Sequence, residues 1–260
     1  PTQFFRHFGG HDELGSHRET GRYHVSILDD HDMVGRNGKH RFNANNHISS
    51  RYTQVAHAVG VQLTTPGIPC VYYGTEQAFD GTESRHDYDI EKELNSEDRY
   101  IRESMFGGSF GAFETAGCHF FNPNHPSYLR IAAIAKIRNA QDIVGKALSR
   151  GRVYLRETSV DGKPFSIPGT GEIIAWSRIL FNKEVLVVFN SNGEENQEAE
   201  ITVDASLHRV GSEMKVLYRG DWSDAELKNP PSNQSIEVKA NQNSATVIIK
   251  LPPAGMAILA

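Results

Sequence analysis

The sequence predicts an α/β segment followed by an all-β antiparallel sandwich. Two observations support this order. In the first half, apolar runs at residues 24–29 and 68–73 flank a segment of helical periodicity. From about residue 150 onward, short alternating runs are separated by clusters of Gly, Asn, Asp and Pro. A strand–helix–strand unit is typical of a parallel sheet, and short strands at regular spacing are typical of an antiparallel sandwich.

The composition is that of a globular protein. The 260 residues, 38% hydrophobic and 23% charged, suffice for one large domain or two small ones. The net charge of −5 argues against nucleic acid as a partner, because phosphates bind basic surfaces. We also expect no membrane span, since no window approaches the roughly 18 apolar residues that one needs. The chain starts at Pro1 without a signal-like segment, so we expect a start within a longer protein and predict no compartment.

The residues that commonly bind metals do not form a recognisable site. Cys70 and Cys118 are the only cysteines, which is too few for a disulfide framework or a zinc spacing. Cys70 lies in an apolar run, where a buried thiol is common. Three histidines and two acidic residues occur among the first 17 positions. No helix or strand fixes their spacing, so we expect a solvated loop there and no metal or other cofactor on this chain.

The first strand–helix–strand unit can be followed residue by residue. The run at 24–29 is the first strand, and Asn46 is a suitable N-cap for the following helix. Pro66 and Gly67 end that helix, and the run at 68–73 is then a neighbouring, largely buried parallel strand reached by a right-handed crossover. The apolar residues at helical spacing are Ile48, Tyr52, Val55, Ala56, Val59 and Leu63.

A long connection separates this unit from the next helix. Residues 77–125 show little apolar periodicity, and loops of this length are usually functional or disordered. The charged residues at 97–102 are compatible with a salt-bridge cluster, to which we assign no catalytic role. Pro126 opens the next helix, because a missing N–H costs little in the first turn. The predicted face of that helix is Leu129, Ala132, Ala133, Lys136 and Ile137.

The pattern of the remaining chain predicts strands separated by turns. We place a domain boundary between residues 142 and 143. Trp176 is expected in the core of the sandwich. The predicted strands are Val153–Arg156, Ile173–Arg178, Val185–Asn190, Ala199–Val203, Met214–Tyr218, Ala245–Leu251 and Met256–Leu259.

An acidic turn directly follows the first strand. It contains Asp29, Asp30, His31 and Asp32, and Arg36 follows after Gly35. Functional residues of parallel α/β proteins gather at the carboxyl ends of strands, so the turn is a candidate active site. For the cluster alone, the alternative interpretation is an acidic surface loop around a hydrogen-bonded histidine.

A second stretch gives the turn a family context. The His31–Asp32 pair after an apolar strand, about 40 residues before Gly67-Ile68-Pro69-Cys70-Val71-Tyr72-Tyr73-Gly74-Thr75-Glu76, resembles the α-amylase family (glycoside hydrolase family 13). The resemblance implies that the two runs are the seventh and eighth strands of a (β/α)8 barrel. Residues 1–142 would then hold its last two βα units, and residues 143–260 the sandwich that follows it. In that family Asn usually precedes the His–Asp pair, whereas this chain has Asp30.

The resemblance also implies an activity and a set of roles. The family hydrolyses α-glucosidic bonds of α-glucans or oligosaccharides with retention, using an Asp nucleophile and a Glu acid on either side of the bond. Neither of their sequence contexts occurs here. Asp32 matches the third carboxylate, which binds the sugar and stabilises its positive charge, and His31, Asp30 and Arg36 are assigned to substrate binding. For Arg36, pairing with a neighbouring Asp is the alternative, and Glu76 and Gln77 are either ligand contacts or supports of the barrel rim.

Two other functions remain open, a glucosyl transferase and a non-catalytic carbohydrate-binding or partner module of the same family. Calcium is common in the family, but its usual ligands lie on a domain that this sequence lacks. Two parallel strands alone leave edges and an apolar face uncovered. An upstream barrel segment or a partner copy is therefore expected to complete the barrel, and this chain alone is expected to be inactive.

Overall fold

The computed structural model describes residues 23–32, 40–80, 101–102, 121–241 and 244–260. They form a parallel pair of strands, a group of helices and two antiparallel sheets. Among these residues, no helix is both long and apolar enough to cross a membrane. In chain order the first elements are β1 (Val25–Ile27), α1 (Arg51–Thr64), β2 (Ile68–Cys70), a 3-10 turn (Thr75–Gln77), α2 (Pro126–Arg138) and α3 (Ile143–Arg150).

The predicted strand–helix–strand unit is present. β1 and β2 pair in parallel, with Val25 opposite Ile68 and Ile27 opposite Cys70. Helix α1 begins at Arg51 after Ser50, so the prediction of Asn46 as its N-cap was wrong. A turn at residues 42–45 precedes it, and the Asn46 amide donates to the Gln54 side chain at 2.6 Å instead. The helix ends before Pro66, as predicted.

One face of the β1–β2 pair is exposed. Val25, Ile27 and Ile68 are 46%, 53% and 51% exposed, and Cys70 is exposed with them. The predictions of a largely buried second strand and a buried Cys70 were therefore wrong. Side chains alternate between the two faces of a strand, and the residues between these, Ser26 and Pro69, are partly buried on the opposite face.

Helices α2 and α3 begin at well-formed caps. Pro126 opens α2, as predicted, and the ring of His125 accepts from the Ser127 N–H at 3.2 Å. Helix α3 was not predicted, although Asp142 caps it by accepting from the Gly145 N–H at 3.0 Å. The predicted face of α2 was partly wrong, because Ala132 is exposed. Its buried hydrophobic side chains are Leu129, Ile131, Ala133 and Ile134.

The predicted antiparallel sandwich is confirmed. A six-stranded sheet runs in the order β3-β5-β6-β12-β8-β9, and a four-stranded sheet in the order β10-β11-β7-β4. Every predicted strand is present, and the missed ones, β4, β9 and β10, are only two or three residues long. The strands are β3 (Arg152–Arg156), β4 (Thr158–Ser159), β5 (Ile173–Leu180), β6 (Lys183–Asn190), β7 (Gln197–Val203), β8 (Glu213–Arg219), β9 (Ser235–Glu237), β10 (Lys239–Asn241), β11 (Ser244–Leu251) and β12 (Met256–Leu259), with helix α4 (Asp224–Lys228) after β8.

A single hydrophobic core joins the helices to the sandwich. Its buried residues come from α1, α2, α3 and both sheets. Trp176 lies in this core, as predicted, and its indole N–H donates to the Thr64 carbonyl at 3.3 Å. The division of the chain between residues 142 and 143 stays a prediction, and the described core extends across that position.

Two buried or partly buried arginines bind the C-terminal end of α1. Arg178 donates to the Thr64 carbonyl at 2.9 Å, and Arg138 donates to the Leu63 carbonyl at 2.6 Å. The last carbonyls of a helix have no partner within it and carry the negative end of its dipole. These guanidinium groups therefore satisfy the end of α1. Arg178 fixes it against the sandwich, and Arg138 fixes it against α2.

A buried histidine makes a second connection between α1 and the sandwich. His57 is fully buried, with Nδ1 2.5 Å from the Ala254 carbonyl and Nε2 2.7 Å from the Tyr218 hydroxyl. Burial lowers the pKa of His57 to about 4, because the charged imidazolium would lose its hydration. The neutral ring donates through Nδ1 to the carbonyl and accepts the tyrosine hydroxyl at Nε2.

Candidate active site

Asp29 is the structural member of the acidic turn. It is only 2% exposed. One carboxylate oxygen accepts from the Phe42 N–H at 2.6 Å, and the other accepts from the Thr75 hydroxyl at 2.9 Å. Asp29 therefore ties the end of β1 to the following loop and to the 3-10 turn after β2. This anchoring brings the carboxyl ends of the two parallel strands together, as the topology predicts.

Asp30 shapes the turn that presents the next two residues. Its Oδ1 accepts from the Asp32 N–H at 2.6 Å, which is the geometry of an Asx turn. The turn requires only an acceptor oxygen at this position, which Asp supplies as Asn does. The structure thus gives Asp30 a backbone role, and its contact with a substrate stays a prediction.

Asp32 projects outward with two side-chain partners. His31 Nε2 lies 3.1 Å from Asp32 Oδ2, and Arg102 Nη2 lies 3.1 Å from Asp32 Oδ1. Arg102 Nε also donates to the His31 carbonyl at 3.2 Å. All three side chains are more than two-fifths exposed. Asp32 and His31 thus lie side by side at the end of β1, and their roles stay predictions, whereas Arg36 lies outside the described residues.

Sequence reasoning missed Arg102 as part of this cluster. The residue lies 70 positions after Asp32 in a long connection, so no local periodicity links the two. The only signal is the run of charged residues at 97–102, which is compatible with a rim salt-bridge cluster without a catalytic role. Residues 97–100 of that run lie outside the described residues.

A second arginine lies between β1 and α1 and binds the segment that follows β2. Arg41 is 1% exposed and donates to the Tyr73 carbonyl at 2.9 Å. Its guanidinium lies 4.6 Å from the ring centre of Tyr72 and 5.4 Å from that of Phe79. Cations are attracted to the faces of aromatic rings at such distances. Burial also raises the pKa of Tyr72, which therefore stays a neutral phenol.

Gln77 supports the rim of the site. It is buried, its amide oxygen accepts from the Asn122 N–H at 2.9 Å, and its amide N–H donates to the Asn122 carbonyl at 3.4 Å. These bonds hold the segment that enters α2 against the turn after β2. Of the two interpretations of Gln77, the structure supports rim support, and Glu76 is only partly buried beside it.

The arrangement supplies one accessible carboxylate with fixed neighbours. A fixed anion stabilises positive charge that develops next to it, provided that the surrounding site is poorly hydrated. Breaking a glycosidic bond by double displacement needs two further carboxyl groups. Among the described residues, no group of three or more His, Cys, Asp and Glu side chains could hold a metal ion.

Comparison with known proteins gives the fold a context. No family model matches the sequence, and no curated protein matches it. Among solved structures, an isomaltulose synthase from Erwinia rhapontici, bound to its natural substrate sucrose, aligns with 91% of the chain at 17% identity and a TM-score of 0.51. An α-amylase from Anoxybacillus aligns with 92% of the chain at 18% identity and a TM-score of 0.50.

The chain shares the fold of a part of these enzymes. The resemblance to the α-amylase family that the motifs predicted is thereby confirmed at the level of the fold. A trehalulose synthase gives the same result, with 91% of this chain aligned at 13% identity and a TM-score of 0.50. The chain spans only 38% of the α-amylase, 42% of the isomaltulose synthase and 43% of the trehalulose synthase.

Proposed function

We propose that this chain is the C-terminal part of an α-amylase-family enzyme that cleaves α-glucosidic bonds with retention of configuration. The observation that carries the proposal is the position of Asp32 and His31. They follow the first of two parallel strands, with hydrogen-bonding groups facing outward, in a chain whose fold resembles that of an α-amylase. In this proposal Asp32 is the transition-state-stabilising carboxylate, and other residues of the complete protein supply the nucleophile and the acid.

The chemistry assigned to Asp32 follows from its charge. Cleavage of a glycosidic bond passes through an oxocarbenium-like state that carries positive charge on the sugar ring. A carboxylate held beside the ring stabilises that state more than the uncharged ground state. His31 donates hydrogen bonds to the same sugar. The uncovered face of β1 and β2 then packs against the remaining strands of the barrel, either from an upstream segment or from a partner copy.

Transfer of a glucosyl unit is the second candidate. Two of the three structures described above are sugar synthases by name, a trehalulose synthase and an isomaltulose synthase whose natural substrate is sucrose. Hydrolysis and transfer differ only in the second step, in which either water or a sugar hydroxyl attacks the covalent glycosyl-enzyme intermediate. A non-catalytic, sugar-binding relative is the remaining alternative, and it would lack the nucleophile and the acid in the complete protein.

The proposal is tested by following the products of the complete protein by NMR. Incubated with maltooligosaccharides or sucrose, it should release or transfer glucosyl units whose new anomeric centre is initially α. This chain alone should release nothing, because it lacks the nucleophile and acid contexts. A product that is initially β would contradict the retaining mechanism, and cleavage by the isolated chain would contradict the division of catalytic groups.

A further inference from the structure

The segment that carries Arg102 is anchored next to the acidic turn. Its neighbour Ile101 is fully buried, which fixes the backbone at this point although the guanidinium itself reaches into a partly exposed position. From there Arg102 spans two adjacent residues. Nε donates to the His31 carbonyl at 3.2 Å, and Nη2 donates to the Asp32 carboxylate at 3.1 Å.

This bridge sets the direction of the carboxylate. One edge of the planar guanidinium holds a backbone oxygen and a side-chain oxygen together, so the Asp32 side chain cannot rotate without losing a bond. His31 Nε2 lies 3.1 Å from the other oxygen, Oδ2. An ionised carboxylate offers about four acceptor positions. Arg102 uses one of them and His31 lies next to another, so at least one lone pair on each oxygen remains for the hydroxyl groups of a sugar.

Stability alone does not account for such a bridge. Exposed ion pairs contribute little to the free energy of folding, because water screens the charges and ordering long side chains costs entropy. A lysine would supply the same charge, but its ammonium has no planar edge with two donors. An arginine at this position is therefore better suited to orienting the carboxylate than to stabilising the fold.

We infer that Arg102 is a positioning residue, which aligns Asp32 with the reacting sugar. The inference rests on the proposed function, because the carboxylate it positions is the one assigned to transition-state stabilisation. Misplacement of a reacting group by about 1 Å costs on the order of 100-fold in rate. Loss of the bridge should therefore lower kcat more than it raises KM, since the ring carries its positive charge only in the transition state.

The kinetic test uses the complete protein. Arg102→Ala should lower kcat by about 10- to 100-fold with little change in KM, and methylguanidinium in the buffer should restore part of the loss. Arg102→Lys should remain impaired. In an Asp32→Asn background, Arg102→Ala should cause no further loss of kcat, because the two residues act as a unit.

The matched control is Arg219→Ala, which removes an arginine that binds the Asp221 carboxylate through two hydrogen bonds of 2.8 Å in the sandwich. It should leave kcat unchanged.

A second measurement tests the contact between Arg102 and Asp32 independently of the enzyme's activity. In the complete protein the side-chain Nη–H resonance of Arg102, whose Nη2 donates to the Asp32 carboxylate, should shift on Asp32→Asn and stay in place on Asp221→Asn. An unshifted resonance would overturn the contact itself, whatever the enzyme does. A shifted resonance together with unchanged kcat for Arg102→Ala in an active protein would overturn the positioning role and leave the proposed function intact. An inactive complete protein with a shifted resonance would instead overturn the proposed function and the positioning role that rests on it.

Discussion

Replacement of Asp32 by Asn is expected to remove nearly all activity of the complete protein. The substitution keeps the size and one acceptor oxygen but removes the negative charge. Groups that stabilise developing charge in an active site contribute on the order of 100- to 1,000-fold to kcat, and we expect a loss in this range or larger. KM should change much less, because the neutral substrate gains little from the charge. Steady-state kinetics on a maltooligosaccharide measure both quantities.

The matched control for Asp32→Asn is Asp221→Asn. Asp221 is also a partly exposed aspartate paired with an arginine, but it lies after β8 in the sandwich. Its replacement should leave kcat within about twofold of the wild type, as expected for a surface change far from the chemistry. Activity that survives Asp32→Asn would contradict the assignment of Asp32, even if the complete protein proves to be a glycosidase.

The largest effect on stability is expected at His57. His57→Ala removes a fully buried ring and leaves the Ala254 carbonyl and the Tyr218 hydroxyl without their partner. A cavity and two unsatisfied polar groups together should lower the free energy of unfolding by about 3–5 kcal/mol. Urea unfolding of this chain, followed by circular dichroism, measures the change. A loss below about 1 kcal/mol would contradict the role of His57 in joining α1 to the sandwich.

His57 also predicts how stability depends on pH. Its pKa is about 4 in the folded chain and about 6.5 when unfolded, so the unfolded state binds the proton more readily. The stability that the neutral, buried His57 contributes is fully present above pH 6.5 and is lost as the pH falls towards 4. Between pH 7 and pH 5 this should cost about 2 kcal/mol, and His57→Ala should lack that part of the pH dependence.

Other groups that titrate in or near this range can be separated from His57. Burial also lowers the pKa of His125, which caps α2, and His125→Asn keeps a capping acceptor while removing the titration. Glu184 and Asp221 have pKa values below their ordinary ones of 4.5 and 3.8, so their contributions are lost only at lower pH. Unfolding curves at pH 7 and pH 5 for the wild type and both histidine variants therefore isolate the contribution of His57.

The strands of the sandwich were predictable because their signal is local. Alternating apolar residues between turns locate β5, β6 and β11 to within one or two residues. The missed elements were either too short to show a period, as with β9, or hidden in a segment assigned to a domain boundary, as with α3. The prediction that β2 is largely buried was wrong for a different reason. The pattern of its residues fits a strand covered on both faces, and only one of those faces is covered by described residues.

The candidate site was predictable only where its residues are adjacent in sequence. His31 and Asp32 follow one strand, so the motif alone brought them together. Arg102 joins them across a long connection, and Asp29 binds Thr75 after the next strand, through contacts that depend on how the chain folds back. The sequence also did not distinguish the buried, structural Asp29 from the outward-facing Asp32, because both follow the strand as charged residues.

In the proposed enzyme, this chain supplies two strands and one carboxylate to a barrel completed by other residues. The reactivity of Cys70 tests this most directly, because Cys70 lies on the exposed face of β2. In a Cys118→Ser background it is the only thiol of this chain, and in the complete protein its modification is followed on the peptide that contains Cys70 by mass spectrometry. We predict that a thiol reagent modifies Cys70 rapidly in this chain, and at least about 1,000-fold more slowly in the complete protein, where modification requires local opening. Equal rates in the two proteins would contradict the account, because they would show that no further strands cover this face.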